Sequence, residues 1–333
     1  METALLTKKR VLGALLALPI VLVGCSGDED DDGNGGAANE GGGAGGDSDL
    51  TFAVVTHASQ GDAFWDVVQN GADAAAEDLG VEVTYQGSGE ADEQAQFIDA
   101  AVSGGVDGIV VSLANPDAMR EPLEGAQEAG IPIITINSGE NESASLGAIT
   151  HVGQTETIAG QGAGERLAEA GVANMICVIH EAGNIGLEQR CEGANDGLGG
   201  TTENLQVDIN NVAEAQTTIQ SSLQANPSVD GVLALNPAIG VAAVDAVAGA
   251  GSEAQVATFD LSGDVVGAIE DGSILFAVDQ QQYLQGYIPI VLLKLFQENN
   301  NTMGGGLPVL TGPGFVTQEN AATVADLAEA GTR

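Results

Sequence analysis

An alternation that begins at residue 51 and runs almost to the end constrains this chain most: short Val/Ile-rich runs separated by helix-length segments. The apolar runs fall at 51–56, 81–86, 108–112, 132–137, 148–152, 175–180, 205–209, 232–236, 255–260 and 274–279. Helical patterns lie between them at 63–79, 117–129, 158–170, 213–225, 238–250 and 284–298. Near-continuous apolar strands with helical connections predict parallel strands buried on both faces, hence an α/β fold. About ten strands exceed one comfortable sheet, so two doubly wound parallel-sheet lobes are expected. An internal echo agrees: VDGIVVS at 106–112 and VDGVLAL at 229–235 both precede an Asn-Pro, Asn115-Pro116 and Asn236-Pro237.

Ahead of this region the chain opens with Lys8, Lys9 and Arg10, an apolar run from Val11 to Val23, and then Gly24-Cys25. A basic start and an apolar run too short to span a bilayer mark an export signal over residues 1–24. Leu22-Val23-Gly24-Cys25 resembles the lipobox of bacterial lipoproteins, which implies lipidation of Cys25 and a tether on the outer face of the cell membrane or in a periplasm. Residues 25–49 hold an acidic run, Asp28-Glu29-Asp30-Asp31-Asp32, then glycine-rich sequence. Such composition cannot bury a core and reads as a hydrated linker.

The formal charge of −40 excludes nucleic acid and anionic lipid as partners of the folded part, and suits a protein facing high salt. It also makes cations scarce. Beyond the signal only Arg120, Arg166, Arg190, Lys294 and Arg333 remain. With Cys25 lipidated, Cys177 and Cys191 are left as an even pair in an oxidising compartment, as a disulfide or as two buried thiols.

Open α/β sheets bind ligands outside the carboxyl ends of their strands. Those ends collect Thr56, His57, Phe64, Trp65, Ser112, Asn115, Asn137, Ser138, His180, Glu181, Asn184, Arg190, Asn210, Asn236, Phe259, Asp260, Asp279 and Gln280. Aromatics are only 3% of the chain, so three of them in this set carry weight. Flat rings with Asn, Asp, Gln and Arg suit a sugar or polyol, whose surface alternates C–H and hydroxyl. No G-x-S-x-G elbow and no P-loop is present. His57, His151 and His180 lie on separate strands without the spacing of a local metal motif, so neither metal nor cofactor is expected. Glu181 and Asp260 could be nominated as a hydrolytic pair, but any chain this acidic offers such pairs. No enzyme is expected.

The stretches FAVVTHASQGDAFWDVVQNGAD, DGIVVSLANPDAM, AGIPIITINSG, HVGQTETIAGQGAGERL, GLEQRCEG, NPSVDGVLALN, VATFDLS and GSILFAVDQQQYLQGY, in this order, resemble the type I periplasmic binding proteins of sugar ABC transporters, the ribose- and galactose-binding group. The resemblance implies two lobes joined by a three-stranded hinge, 50–153 with 281–312 and 154–280 with 313–333, crossing near 153–155, 280–281 and 311–314. It implies a ligand set of Asp62, Phe64, Trp65, Asn137, Arg190, Asn236, Phe259, Asp260 and Gln280. It further implies a monomer that closes on a neutral sugar or polyol and delivers it to an ABC permease with a cytoplasmic ATPase, or else reports to a chemoreceptor or kinase. Three departures argue against ribose itself. Asn137-Ser138 replaces an Asp-Arg pair, Asn210-Asn211 replaces a stacking aromatic, and the loop at 57–62 is longer.

Overall fold

The computed structural model describes residues 49–59 and 61–333, so the expected signal, Cys25 and the linker through residue 48 lie outside the described residues. The first lobe opens with β1 (Thr51–Thr56), α1 (Ala63–Leu79), β2 (Glu82–Gly87), α2 (Ala91–Gly104), β3 (Gly108–Ser112), α3 (Pro116–Glu128), β4 (Ile133–Ile136), α4 (Glu140–Ser143) and β5 (Thr150–Gly153). Then come α5 (Glu156–Glu169), β6 (Asn174–Ile179), α6 (Ile185–Leu198), β7 (Thr201–Gln206), α7 (Val212–Ala225), β8 (Gly231–Ala234), α8 (Pro237–Ala250), β9 (Gln255–Phe259), α9 (Gly263–Asp271) and β10 (Phe276–Asp279). The chain finishes with α10 (Gln282–Asn299), β11 (Val309–Leu310), β12 (Gly314–Thr317) and α11 (Ala325–Glu329).

Two six-stranded sheets result, ordered β11-β5-β4-β3-β1-β2 and β12-β10-β9-β8-β6-β7. The two orders match strand for strand, so β1 to β5 occupy the places that β6 to β10 occupy in the second sheet. Burial on both faces is visible in single strands. Phe52 and Val54 of β1 pack with α1 and α10, while Ala53 and Val55 pack with α2 and α3. In β6, Ile176 and Val178 face the α7, α8 and α9 side, and Met175, Cys177 and Ile179 face α5 and α6. Cys177 and Cys191 form a disulfide with Cα atoms 5.8 Å apart, tying β6 to α6 inside that second core.

Two differences from the sequence reading have plain causes. The seventh strand spans Thr201–Gln206 and not 205–209. It lies at the sheet edge with four of its six residues exposed, so its polar sequence TTENLQ carries no apolar run to mark it. The sheets are also not wholly parallel, because β12 runs antiparallel to β10. Residues 311–313 carry the chain straight from β11 at the edge of the first sheet to β12 at the edge of the second, with no helix between them. The chain passes between sheets at 154–155, 280–281 and 311–313. Among the described residues no helix is long and apolar enough to cross a membrane.

Candidate functional site

The strand ends of both sheets converge on a narrow, partly open pocket between the lobes. Its residues arrive by equivalent routes in the two lobes. Asp62 is the N-cap of α1, its Oδ1 accepting from the Phe64 N–H at 3.1 Å, and this presents Phe64 and Trp65 on the first turn. Asn184 caps α6 in the same way and presents Leu187 and Arg190. Asn236 caps α8, with Pro237 fixing the first helical position. Asn137 follows β4 and Asp260 follows β9, and both hold left-handed backbone, with φ of 61° and 67°. Asn and Asp enter this region more readily than other non-glycine residues, and positions of this kind cluster at ligand sites.

Eight of the nine expected residues line this cavity: Asp62, Phe64, Trp65, Asn137, Arg190, Asn236, Asp260 and Gln280. Phe259 does not. It is fully buried in the core, and its ring lies under Arg190, with the guanidinium carbon 4.6 Å from the centroid. Leu187 and Leu235, which no sequence pattern had marked, supply the apolar lining on that side. His57, His180, Glu181 and Asn184 complete the wall. On the other side the rings of Phe64 and Trp65 meet edge to face at 4.9 Å, and Trp65 meets His57 at 4.7 Å.

Glu156, the first residue of α5, carried no local signal and proves central. Arg190 donates to it twice, from Nε to Oε2 at 2.6 Å and from Nη2 to Oε1 at 2.9 Å. Two glycines allow this. A side chain at Gly160 would meet the Arg190 carbonyl oxygen at 2.1 Å, and one at Gly193 would meet the Thr157 carbonyl oxygen at 2.1 Å, so α5 and α6 pack backbone to backbone. With Glu156 holding Nε and Nη2, Nη1 is directed to Asp260 Oδ2 at 3.8 Å and to the Leu235 carbonyl at 3.5 Å. Asp260 Oδ1 accepts from Gln280 Nε2 at 2.8 Å, and Gln280 Oε1 accepts from Asn137 Nδ2 at 3.2 Å. A continuous polar chain thus runs from α5 to β4.

The lobes touch through this wall. Asn236 Nδ2 donates to Asp62 Oδ1 at 3.1 Å, Ser138 Oγ to Asn184 Oδ1 at 3.1 Å, and the Ile185 N–H to the Ala114 carbonyl at 3.2 Å. Asn184 Nδ2 lies 3.3 Å from His57 Nε2. Burial governs the charges. It pushes Asp260 up to about 7, with Arg190 opposing, and Glu181 up to about 7, with the Asn184 hydrogen bond opposing and Asp62 adding. Burial and then Arg190 push His57 and His180 down to about 3, so both imidazoles are neutral at pH 7. The result is a small enclosure dense in hydrogen-bond acceptors, with one guanidinium, several amides and apolar patches on opposite sides.

Two lobes on matching sheets, three crossings and a polar pocket between them at the strand ends define a type I periplasmic binding protein. The periplasmic binding protein domain family matches residues 52–300, and the chain belongs to that family. A carbohydrate transporter from Acidothermus cellulolyticus 11B, crystallised in complex with myo-inositol, is 40% identical, with a TM-score of 0.84 over 86% of this chain and 100% of that one. The xylose/arabinose-binding protein XylF of Sulfolobus acidocaldarius is 27% identical over 242 residues, 67% of this chain and 60% of that protein's length. The ribose import binding protein RbsB of Bacillus subtilis is 24% identical over 206 residues, 59% of this chain and 65% of that protein. XylF and RbsB are binding proteins, and the chain belongs to a binding-protein family, not to a family of enzymes.

Proposed function

We propose that this protein is an extracytoplasmic, lipid-anchored receptor that captures a neutral polyol or sugar between its lobes and delivers it to an ABC permease, with cyclic polyols the leading class. The observation that carries this reading is the cavity itself. Each lobe contributes acceptors, amides and apolar surface to one enclosure, so a ligand bonded to both sides favours the closed arrangement over an open one. Segments 50–153 with 281–312 and 154–280 with 313–333 would move as two bodies about the three crossings, a hinge closure. The relative crystallised with myo-inositol supports a cyclitol. A ring with a hydroxyl on every carbon donates a proton in each direction in which Asp62, Glu181 and Asp260 accept. The neutral Asn137-Ser138 pair leaves that side of the cavity without a charged clamp. The similar proteins favour transport over sensing.

A thermal-shift series in concentrated salt tests the proposal, with myo-inositol beside D-xylose, L-arabinose, D-ribose and D-galactose. At a hundred times its Kd a ligand stabilises by about 2.7 kcal/mol. A clear shift with at least one polyol or sugar is expected, and Arg190→Ala should remove it. If none of them moves the midpoint, the assignment of this cavity to polyols fails.

A further inference from the structure

From the seam of the cavity we infer a second binding capacity: Asp62, His180 and Glu181 form a site for a first-row divalent cation, zinc foremost. Asp62 comes from the N-cap of α1 and the other two from the loop after β6, and each offers a ligand atom within 4.8 Å of the others. Each keeps an unused donor. Asp62 Oδ1 is taken by the Phe64 N–H and the Asn236 amide, but Oδ2 makes no hydrogen bond. Glu181 Oε2 accepts from Asn184 and faces His57 Nε2 at 3.7 Å, while Oε1 is free. His180 is 6% exposed, and its Nδ1 is buried without a hydrogen-bond partner. A buried imidazole that stays neutral has a lone pair to give, and one nitrogen with two carboxylates is a donor set that zinc accepts.

The charge balance points the same way. Arg190 is the one Lys or Arg lining the cavity, and it is already held by Glu156 through two bonds, with Asp260 beside it. Glu181 therefore shares Arg190 with Glu156 and Asp260, and Asp62 beside it has no Lys or Arg partner among the described residues. Tetrahedral donors about 2.0–2.2 Å from zinc lie roughly 3.4 Å apart, so the three side chains need to draw together by about 1 Å. Three protein ligands leave a fourth position for water or a hydroxyl. Because the donors come from both sides of the seam, the cation binds the closed arrangement and stabilises it. That last step rests on the two-lobe reading given above, whereas binding of the metal alone does not.

The test uses the full chain, stripped with a chelator, titrated calorimetrically with zinc chloride and no polyol present. One saturable site is expected, together with a raised melting temperature. Asp62→Asn and His180→Gln should each weaken binding tenfold or more, with unchanged circular dichroism showing that they fold. Cobalt(II) added to the unaltered chain should give the intense visible bands of a low-coordinate site, a readout that needs no variant. A chain this acidic will also collect cations weakly over its surface. Non-saturating uptake, equal in the unaltered chain and both variants and without the cobalt bands, would overturn the site while leaving the polyol reading intact.

Discussion

Glu156 holds Arg190 by two parallel hydrogen bonds of 2.6 and 2.9 Å, with both side chains almost fully buried. The one guanidinium of the cavity is thereby fixed in plane before any ligand arrives. Three of its five N–H groups lie on Nε and Nη2, towards Glu156, so Nη1 is the arm turned to Asp260. Gln154, in the first crossing between sheets, donates to Glu156 Oε2 at 2.9 Å and so joins this pair to the hinge.

Breaking this pair should cost both stability and affinity. Removing one partner of a buried ion pair costs about 3–5 kcal/mol, since the remaining charge is left without compensation. Glu156→Gln is expected to lower the unfolding free energy, read from urea titration, by the lower part of that range, because the amide still accepts one bond. Polyol affinity should fall at least tenfold by calorimetry. Arg190→Lys should not behave as a mild change, because an ammonium cannot fill both positions of the fork.

The close packing behind the pair is separately testable. Gly160→Ala places a methyl group against the Arg190 carbonyl oxygen, which cannot move without shifting α6. Overpacking of this kind costs about 1–3 kcal/mol, and the parting of α5 from α6 should also weaken ligand binding. Gly125→Ala, inside α3 with open space around it, is the matched control and should be neutral or slightly stabilising in thermal melts. Equal losses in the two variants would show that helix separation is not what positions Glu156.

The raised carboxylates set a pH dependence whose sign can be worked out. Glu181 titrates near 7 when folded and near its ordinary 4.5 when unfolded, so the folded state binds the proton more tightly. Its contribution is fully present below pH 4 and is lost as pH rises through 7. Glu181→Gln should therefore stabilise the ligand-free protein at pH 8, by about 1–3 kcal/mol, and the gain should vanish near pH 4. His57 and His180 run the other way. Their folded values lie near 3, so what they contribute is present above about 6.5 and is lost as pH falls towards 3. Denaturant midpoints measured from pH 4 to 8 for both forms check the crossover.

The disulfide closes a loop of sequence separation 14 between β6 and α6. In the chain-entropy account a loop of that size is worth about 3 kcal/mol. Replacing Cys177 and Cys191 together by Ala should lower the unfolding free energy by roughly that much. Ligand affinity should fall less than it does on loss of Glu156, because Arg190 keeps both of its hydrogen bonds. An unchanged midpoint in the unaltered chain after strong reductant would contradict the expected contribution.

Most of this fold could be read from local pattern, because strands buried on both faces need near-continuous apolar runs, and β1, β3, β4, β6 and β9 have them. The edge strand β7 has solvent beside it and no such need, which is why no apolar run marks its place. The site divides in the same way. Asp62, Asn137, Asn236, Asp260 and Gln280 stand at strand ends or helix caps, where chain geometry alone gathers side chains. Phe259 stands at such an end too, but the side chain of a strand's last residue can face either core or cleft, and here it faces the core under Arg190.

The sequence by itself therefore determined the two α/β lobes, the edge on which a ligand sits, and the kinds of group that meet it. Tertiary structure alone decided which groups face one another. Glu156 is 34 residues from Arg190, and Asp62 is 174 from Asn236. Contacts at that range are set by how closely helices pack and how sheets align, and neither leaves a periodic trace in the local chain. For the same reason Asp62, His180 and Glu181 appear as three unrelated residues in the sequence and as one cluster in space.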